Sequence, residues 1–368
     1  MDSLHTNEDR NEFLKAASAG HTESLEFLLA LGVSISTTGD DGSTALHCAA
    51  RTGEARAIEY LIEQNATIDA RNDSERTPLH EAIKGRHEKA VVRLLAAGAD
   101  VRVMDKEGLS SLHHAAKIGE LNLFKILSRH MEPNRIQAGL FGSVLHTAVK
   151  AGMIPIVQFI LKEWRPECTA DDEAIYLSLH HAVRHGNIGM VRPLLEKCRN
   201  INMRFKTFAH VLNVAIKGGH EQIAKLLIDG GADVNAQSHH YRTPIQKASA
   251  GGHEQIVKML IDGGADVNVQ GGLYENSLQA ASFKGHERIV KMLIDRGADV
   301  NVQGGWYGNA LQAASVGGHE KIVKMLIDSG ADVNAQREKG EHRNALHAAS
   351  DRGHAQVVKL LIDNGARS

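Results

Sequence analysis

Leucine or isoleucine stands at Leu46, Leu79, Leu112, Leu145, Leu179, Leu212, Ile245, Leu278, Leu311 and Leu346, nearly always 33 residues apart. Residues 236–268 show how one such period is patterned. The stretch RTPIQKASAGG predicts a short helix with Thr243 as N-cap and Pro244 at the first helical position, where a missing N–H costs nothing. Gly251-Gly252 ends it, and EQIVKMLID then places Ile256, Val257, Leu260 and Ile261 on one face of a second helix. Gly264 supplies a left-handed stop, and ADVN leads through an extended, turn-rich segment into the next unit. Glu254 precedes Lys258 by four residues, and Glu221/Lys225, Glu287/Lys291 and Glu320/Lys324 repeat the arrangement, which predicts a solvent-side pair along each second helix. A helix pair of this length cannot bury its apolar face alone, so neighbouring copies must stack. The pattern therefore predicts an α-dominated repeat solenoid, whose long surface suits binding better than catalysis.

The array is expected to be a single domain over 1–368, with an N-terminal capping repeat at 1–37, regular repeats at 38–139, irregular ones at 140–204 and near-identical copies at 205–368. Irregularity is read from particular residues. Pro193, in NIGMVRPLLEKC, falls beyond the first turn of a second helix, where it deletes a backbone hydrogen bond and predicts a kink. Pro155 opens its helix and is harmless there, whereas the connection through Trp164, Pro166 and Asp171-Asp172-Glu173 has lost the Gly-Ala-Asp signature.

Particular stretches make the family resemblance specific. RTPLHEAIKGRHEKAVVRLLAAGADV, STALHCAARTGEARAIEYLIEQNATID and GNALQAASVGGHEKIVKMLIDSGADVN resemble ankyrin repeats, about eleven of them counting a first around EFLKAASAGHTESLEFLLALGV. The late copies, with YGNALQAAS and GADVNVQGG, also resemble the ankyrin arrays frequent in filamentous fungi. The resemblance implies stacked helix pairs with short β-hairpin fingers on one side and a function in binding other proteins.

Composition narrows the partners. A formal net charge of -2 offers no global attraction for nucleic acid or an anionic membrane. Cys48, Cys168 and Cys198 have neither disulfide-like nor metal-like spacing, which fits a reducing compartment, and no stretch reaches membrane-spanning length. The expectation is a soluble, monomeric cytoplasmic protein, with a nuclear location as the alternative.

The 22 histidines invite a metal, but two columns absorb most of them. His47, His80, His113, His146, His180 and His347 share one repeat position with Asn213, Gln246, Gln279 and Gln312, as expected where the fold needs a hydrogen-bonding side chain. His21, His87, His220, His253, His286, His319 and His354 share the other. His181 and His185 have two-point metal spacing without a matching carboxylate or cysteine. Nucleophile elbows, Walker loops and HExxH are missing from the sequence, so no catalytic residue, metal or cofactor is expected.

Two features remain as candidate contact surfaces. Arg51, Lys84, Lys117, Lys150, Arg184 and Lys217 occupy one position through six successive repeats. The family geometry implies that they line a concave groove with His114, His181 and His185, facing an acidic or phosphorylated protein segment; a cation in the last turn of a helix is also favoured by the helix dipole alone. The second is aromatic: Tyr241, Tyr274 and Tyr307 share a finger position, preceded by His240, Leu273 and Trp306. Such residues concentrate interface energy, although tyrosines of this kind also pack finger on finger. The reading is a non-catalytic interaction scaffold. An effector-sensing array of a larger signalling system, and a cryptic metal-dependent or hydrolytic enzyme, are the alternatives.

Overall fold

The computed structural model describes residues 7–131, 138–164, 172–202, 210–237, 243–271, 274–336 and 342–367. His240, Tyr241, Leu273 and Pro166 lie outside them. Residue contacts divide the chain into two compact units, Met1–Ser178 and Leu179–Ser368.

In the first unit the helices come in pairs, Asn7–Ala19 with Thr22–Ala30, Ala45–Thr52 with Ala55–Glu63, Pro78–Lys84 with Glu88–Ala96, Ser111–Ile118 with Leu121–Arg129, and Ala138–Lys150 with Ile154–Phe159. First helices pack on first helices, and second on second. The periodic leucines explain why: Leu46, Leu79, Leu112 and Leu145 are all buried, as are Ile58, Val91 and Phe124 from the second helices. Ile154–Phe159 departs from the rest by running on as a π-helical segment, Ile160–Trp164. Trp164 there meets Phe124 edge-on at 5.5 Å between ring centroids, and Phe159 meets the same ring at 5.9 Å. The lost Gly-Ala-Asp stop is thus replaced by a widened helical turn that carries an indole back onto the preceding repeat.

The second unit repeats the pairing through Val211–Lys217 and Glu221–Asp229, Pro244–Gly251 and Glu254–Asp262, Ser277–Lys284 and Glu287–Asp295, Ala310–Gly317 and Glu320–Asp328, and Ala345–Asp351 and Ala355–Asp363. Thr243 caps and Pro244 opens its helix as the sequence predicts, and Gly264 is left-handed at φ +87°. Pro193 sits buried inside Ile188–Lys197, and that helix runs through it unbroken, so the expected kink does not divide the element.

Three details differ from the sequence reading. Among the described residues the fingers form no strands, only isolated antiparallel bridges at Thr38–Thr44, Met104–Ser110 and Gly304–Gly308. Two of the four acidic residues expected to pair along the second helix reach the next repeat instead, Glu254 to Arg288 at 3.2 Å and Glu287 to Lys321 at 3.5 Å. The ADVN asparagines are joints rather than simple turn residues. Asn268 Nδ2 donates to the Gly297 carbonyl at 3.0 Å while its Oδ1 accepts the Asp299 N–H at 2.9 Å. Asn202, Asn235, Asn301 and Asn334 make the same double reach into the following repeat.

No helix among the described residues is long and apolar enough to cross a membrane.

Candidate functional site

The first histidine column caps helices. His47 Nδ1 accepts the Thr44 N–H at 3.2 Å, which leaves Nε2 protonated to donate to the Arg76 carbonyl of the next repeat at 2.8 Å. An imidazole so engaged has no lone pair left for a metal. His80 and His113 accept the N–H of Thr77 and Ser110 in the same way, each at 3.1 Å. Glutamine reproduces both halves: Gln246 Oε1 accepts the Thr243 N–H at 3.2 Å, and Nε2 donates to Glu275 O at 3.1 Å.

The second column joins repeats. His319 Nε2 donates to the Phe283 carbonyl at 3.0 Å, and His87 and His354 do the same to Arg51 and Val316. Each ring covers glycines of its neighbourhood: at Gly252, φ +74°, a Cβ would stand 2.7 Å from His286 Cε1. The glycine there serves both a left-handed backbone and a close-lying ring.

The basic column is exposed at all six positions, Arg51, Lys84, Lys117, Lys150, Arg184 and Lys217. Its members are not electrostatically alike. Arg51 Nε meets the buried Glu81 at 3.0 Å and its Nη2 meets Asp41 at 3.2 Å, at the edge of a cleft of about 380 Å³ that Asp73, Arg76 and Lys84 also line. Lys117 stands 3.9 Å from Glu107. Lys84 and Lys150 in the first unit, and Arg184 and Lys217 in the second, have no carboxylate within ion-pair distance among the described residues.

His114 departs from the expectation that it lines the groove. It is buried, and its Nε2 lies 2.8 Å from Asp105 Oδ2, which Arg76 also approaches at 3.5 Å. Asp105 was invisible to sequence reasoning because it sits in a finger nine residues upstream. Burial alone raises its carboxyl, but hydrogen bonds from the Leu109 N–H and from His114 outweigh this and hold it below the usual carboxylate range. Desolvation pushes the His114 imidazole down even though Asp105 favours its charge. Burial, aided by the neighbouring His114, brings His80 and His113 down to about 4. His181 and His185 stack at 4.2 Å, and His185 Nδ1 donates to the His181 carbonyl at 2.9 Å, so that ring is fixed on its own helix.

The finger aromatics divide. Tyr274 is buried to 9% exposure, against Tyr307 at 6.0 Å between centroids and Phe283 at 6.0 Å. Phe283 and Tyr307 stack at 4.1 Å. Tyr274 is therefore packing rather than a presented contact, and Phe283, which takes the position of the basic column, completes the cluster. Trp306, which precedes Tyr307 in the chain, is 62% exposed.

The family model described as "Ankyrin repeats (3 copies)" matches residues 13–105, 85–173, 112–207, 179–271, 211–303 and 277–368, so overlapping triplets run along nearly the whole chain. No curated protein matches it.

Proposed function

Because the chain belongs to the ankyrin repeat family, whose repeats generally serve as protein–protein interaction modules, we propose that it is a non-catalytic scaffold that binds partner proteins through the groove of each unit. In the first unit Lys84, Lys117 and Lys150 face an acidic or phosphorylated segment. The observation that carries this is the exposure of Lys84 and Lys150 without a carboxylate within ion-pair distance among the described residues, Lys84 lining a cleft already built of both charges. Arg184 and Lys217 hold the same position in the second unit and would act there alike. A monomer in a reducing compartment suits three cysteines without disulfide-like spacing. A preformed helical surface avoids much of the ordering cost of binding.

The test is titration of the whole chain with arrays of acidic and phosphorylated peptides. Tight binders should weaken with added salt, and reversal of Lys84, Lys117 and Lys150 to Glu should lower affinity at least tenfold, about 1.4 kcal/mol. Helicity should persist, since surface changes away from special features alter stability by about 0.5 kcal/mol or less. Equal binding by the reversed protein would refute the groove reading.

Trp306 supplies a second contact in the other unit. An indole 62% exposed, on the residue preceding Tyr307 of the stacked aromatic cluster, has the character of an interface anchor. Trp306→Ala is expected to leave the melting temperature nearly unchanged while removing roughly 2 kcal/mol of affinity for partners that use this finger. Earlier melting with no binding defect would make Trp306 a packing residue instead.

A further inference from the structure

The repeat headed by Leu346 differs from the three before it in three columns at once. Four residues before the leading aliphatic the chain reads Tyr241, Tyr274, Tyr307 and then His342. One residue after it come Gln246, Gln279, Gln312 and then His347; five residues after it come Ala250, Phe283, Val316 and then Asp351. No other repeat holds a metal-ligating side chain at all three positions, because wherever the second column has histidine the third has lysine or arginine and the first has Gly42, Glu75, Gly108, Phe141 or Ile175.

The fold makes these positions neighbours. In the repeat headed by Leu278, the first and third give the contact of Tyr274 with Phe283. In the repeat headed by Leu346, the same meeting brings His342 Nδ1 to 3.2 Å from Asp351 Oδ2, with His347 Nδ1 3.6 Å from that same oxygen. One ligand atom from each of the three lies within 4.8 Å of the others. His347 has also left the work of its column. Asn344 Oδ1 still accepts the His347 N–H at 2.8 Å, but the ring nitrogen that in His47 accepts a backbone N–H is here turned to Asp351.

We propose that His342, His347 and Asp351 bind a divalent transition-metal ion, Zn²⁺ by preference, with water completing the coordination. Two imidazoles and one carboxylate are the donor set of borderline ions and not of Mg²⁺ or Ca²⁺, which require oxygen. Bonds of about 2.0–2.1 Å in a tetrahedral site set ligand atoms roughly 3.4 Å apart, and the two distances to Asp351 bracket that edge. The His342 side chain is 16% exposed, whereas His347 and Asp351 are 52% and 45% exposed, so the site is sheltered behind and open in front. His347 and Asp351 lie one turn apart on Ala345–Asp351, and His342 precedes its N-cap Asn344; the ion therefore clamps the base of the finger to the helix it leads into.

The experiment is calorimetric titration of the full, untagged, chelator-stripped chain with zinc chloride, together with Co²⁺ absorption as a report of coordination geometry. Expected are one site per chain and the visible bands of four-coordinate cobalt. In the variant His342→Tyr, His347→Gln, Asp351→Val, which restores the residues of the preceding repeat and so keeps a packing the fold already uses, that site and those bands should vanish. Asp351→Asn alone should weaken zinc at least tenfold. A wild-type chain that binds no zinc at about 100 µM would show that Asp351 merely pairs with the two histidines, accepting a hydrogen bond from His342. Unchanged binding in the triple variant would place the metal on other histidines, and either result overturns the assignment.

Discussion

Acidification from pH 7 to pH 5 is expected to remove roughly 4 kcal/mol from the stability of the unit Met1–Ser178. Burial holds His80 and His113 neutral in the fold, with pKa about 4, whereas the unfolded chain takes up their protons near 6.5. A histidine depressed in this way opposes the native state only when the unfolded form is the more protonated. Its penalty is therefore nil above about pH 7, grows as the pH falls through 6.5, and levels off below 4, at up to roughly 3 kcal/mol per group. His47 and His114 are shifted in the same direction and add to the slope. Urea unfolding can be read from Trp164 alone if Trp306, the other of the two tryptophans, is replaced by Phe. The double variant His80→Gln, His113→Gln should fold, because Gln246 and Gln312 perform the same capping in the other unit. It should lose less than half as much stability over the same pH interval. A variant as acid-sensitive as the wild type would remove these two rings as the cause.

Phe124→Ala is expected to destabilise the same unit by about 3–5 kcal/mol. Phe124 is fully buried and receives the edges of both Phe159 and Trp164, so its removal opens a cavity at the joint between two repeats and strips the indole of its partner. Trp164 emission should shift to the red in the folded variant, and the urea midpoint should fall. A loss under about 1 kcal/mol would mean that the π-helical segment collapses onto the vacancy.

How much of this was legible depended on whether an interaction stays inside its own repeat. The helix starts were readable because cap and partner are three residues apart, as with Thr243 and Gln246. The buried leucines were readable because a single period repeats them. Interactions that span about one whole repeat were not. The Asn268 contacts to Gly297 and Asp299, the hydrogen bond of His319 to Phe283, and the pairing of Arg51 with Glu81 all arise from stacking, which fixes the distance between columns only in three dimensions. His114 was placed in the groove for this reason: its position on the helix was right, and the finger carboxylate that draws it inward lay outside any helical spacing. The ligand set at the repeat headed by Leu346 was hidden in another way. His347 reads as an ordinary member of its histidine column, His342 and Asp351 belong to other columns, and nothing in one column tells which others it will meet.

The joints between repeats aim at the main chain. Asn202, Asn235, Asn268, Asn301 and Asn334 grip carbonyls and N–H groups, and His319 and His354 grip carbonyls whose own side chains are Phe283 and Val316. A backbone is the same whatever residue it carries. As far as these joints go, whole repeats between Asn235 and Asn334 are thus interchangeable parts: a gene that loses or gains one through unequal crossing-over still encodes a chain in which each of these main-chain joints finds its mate. Such an array can change length in a single step, and with it the span of partner it reaches, before any side chain on its surface has changed.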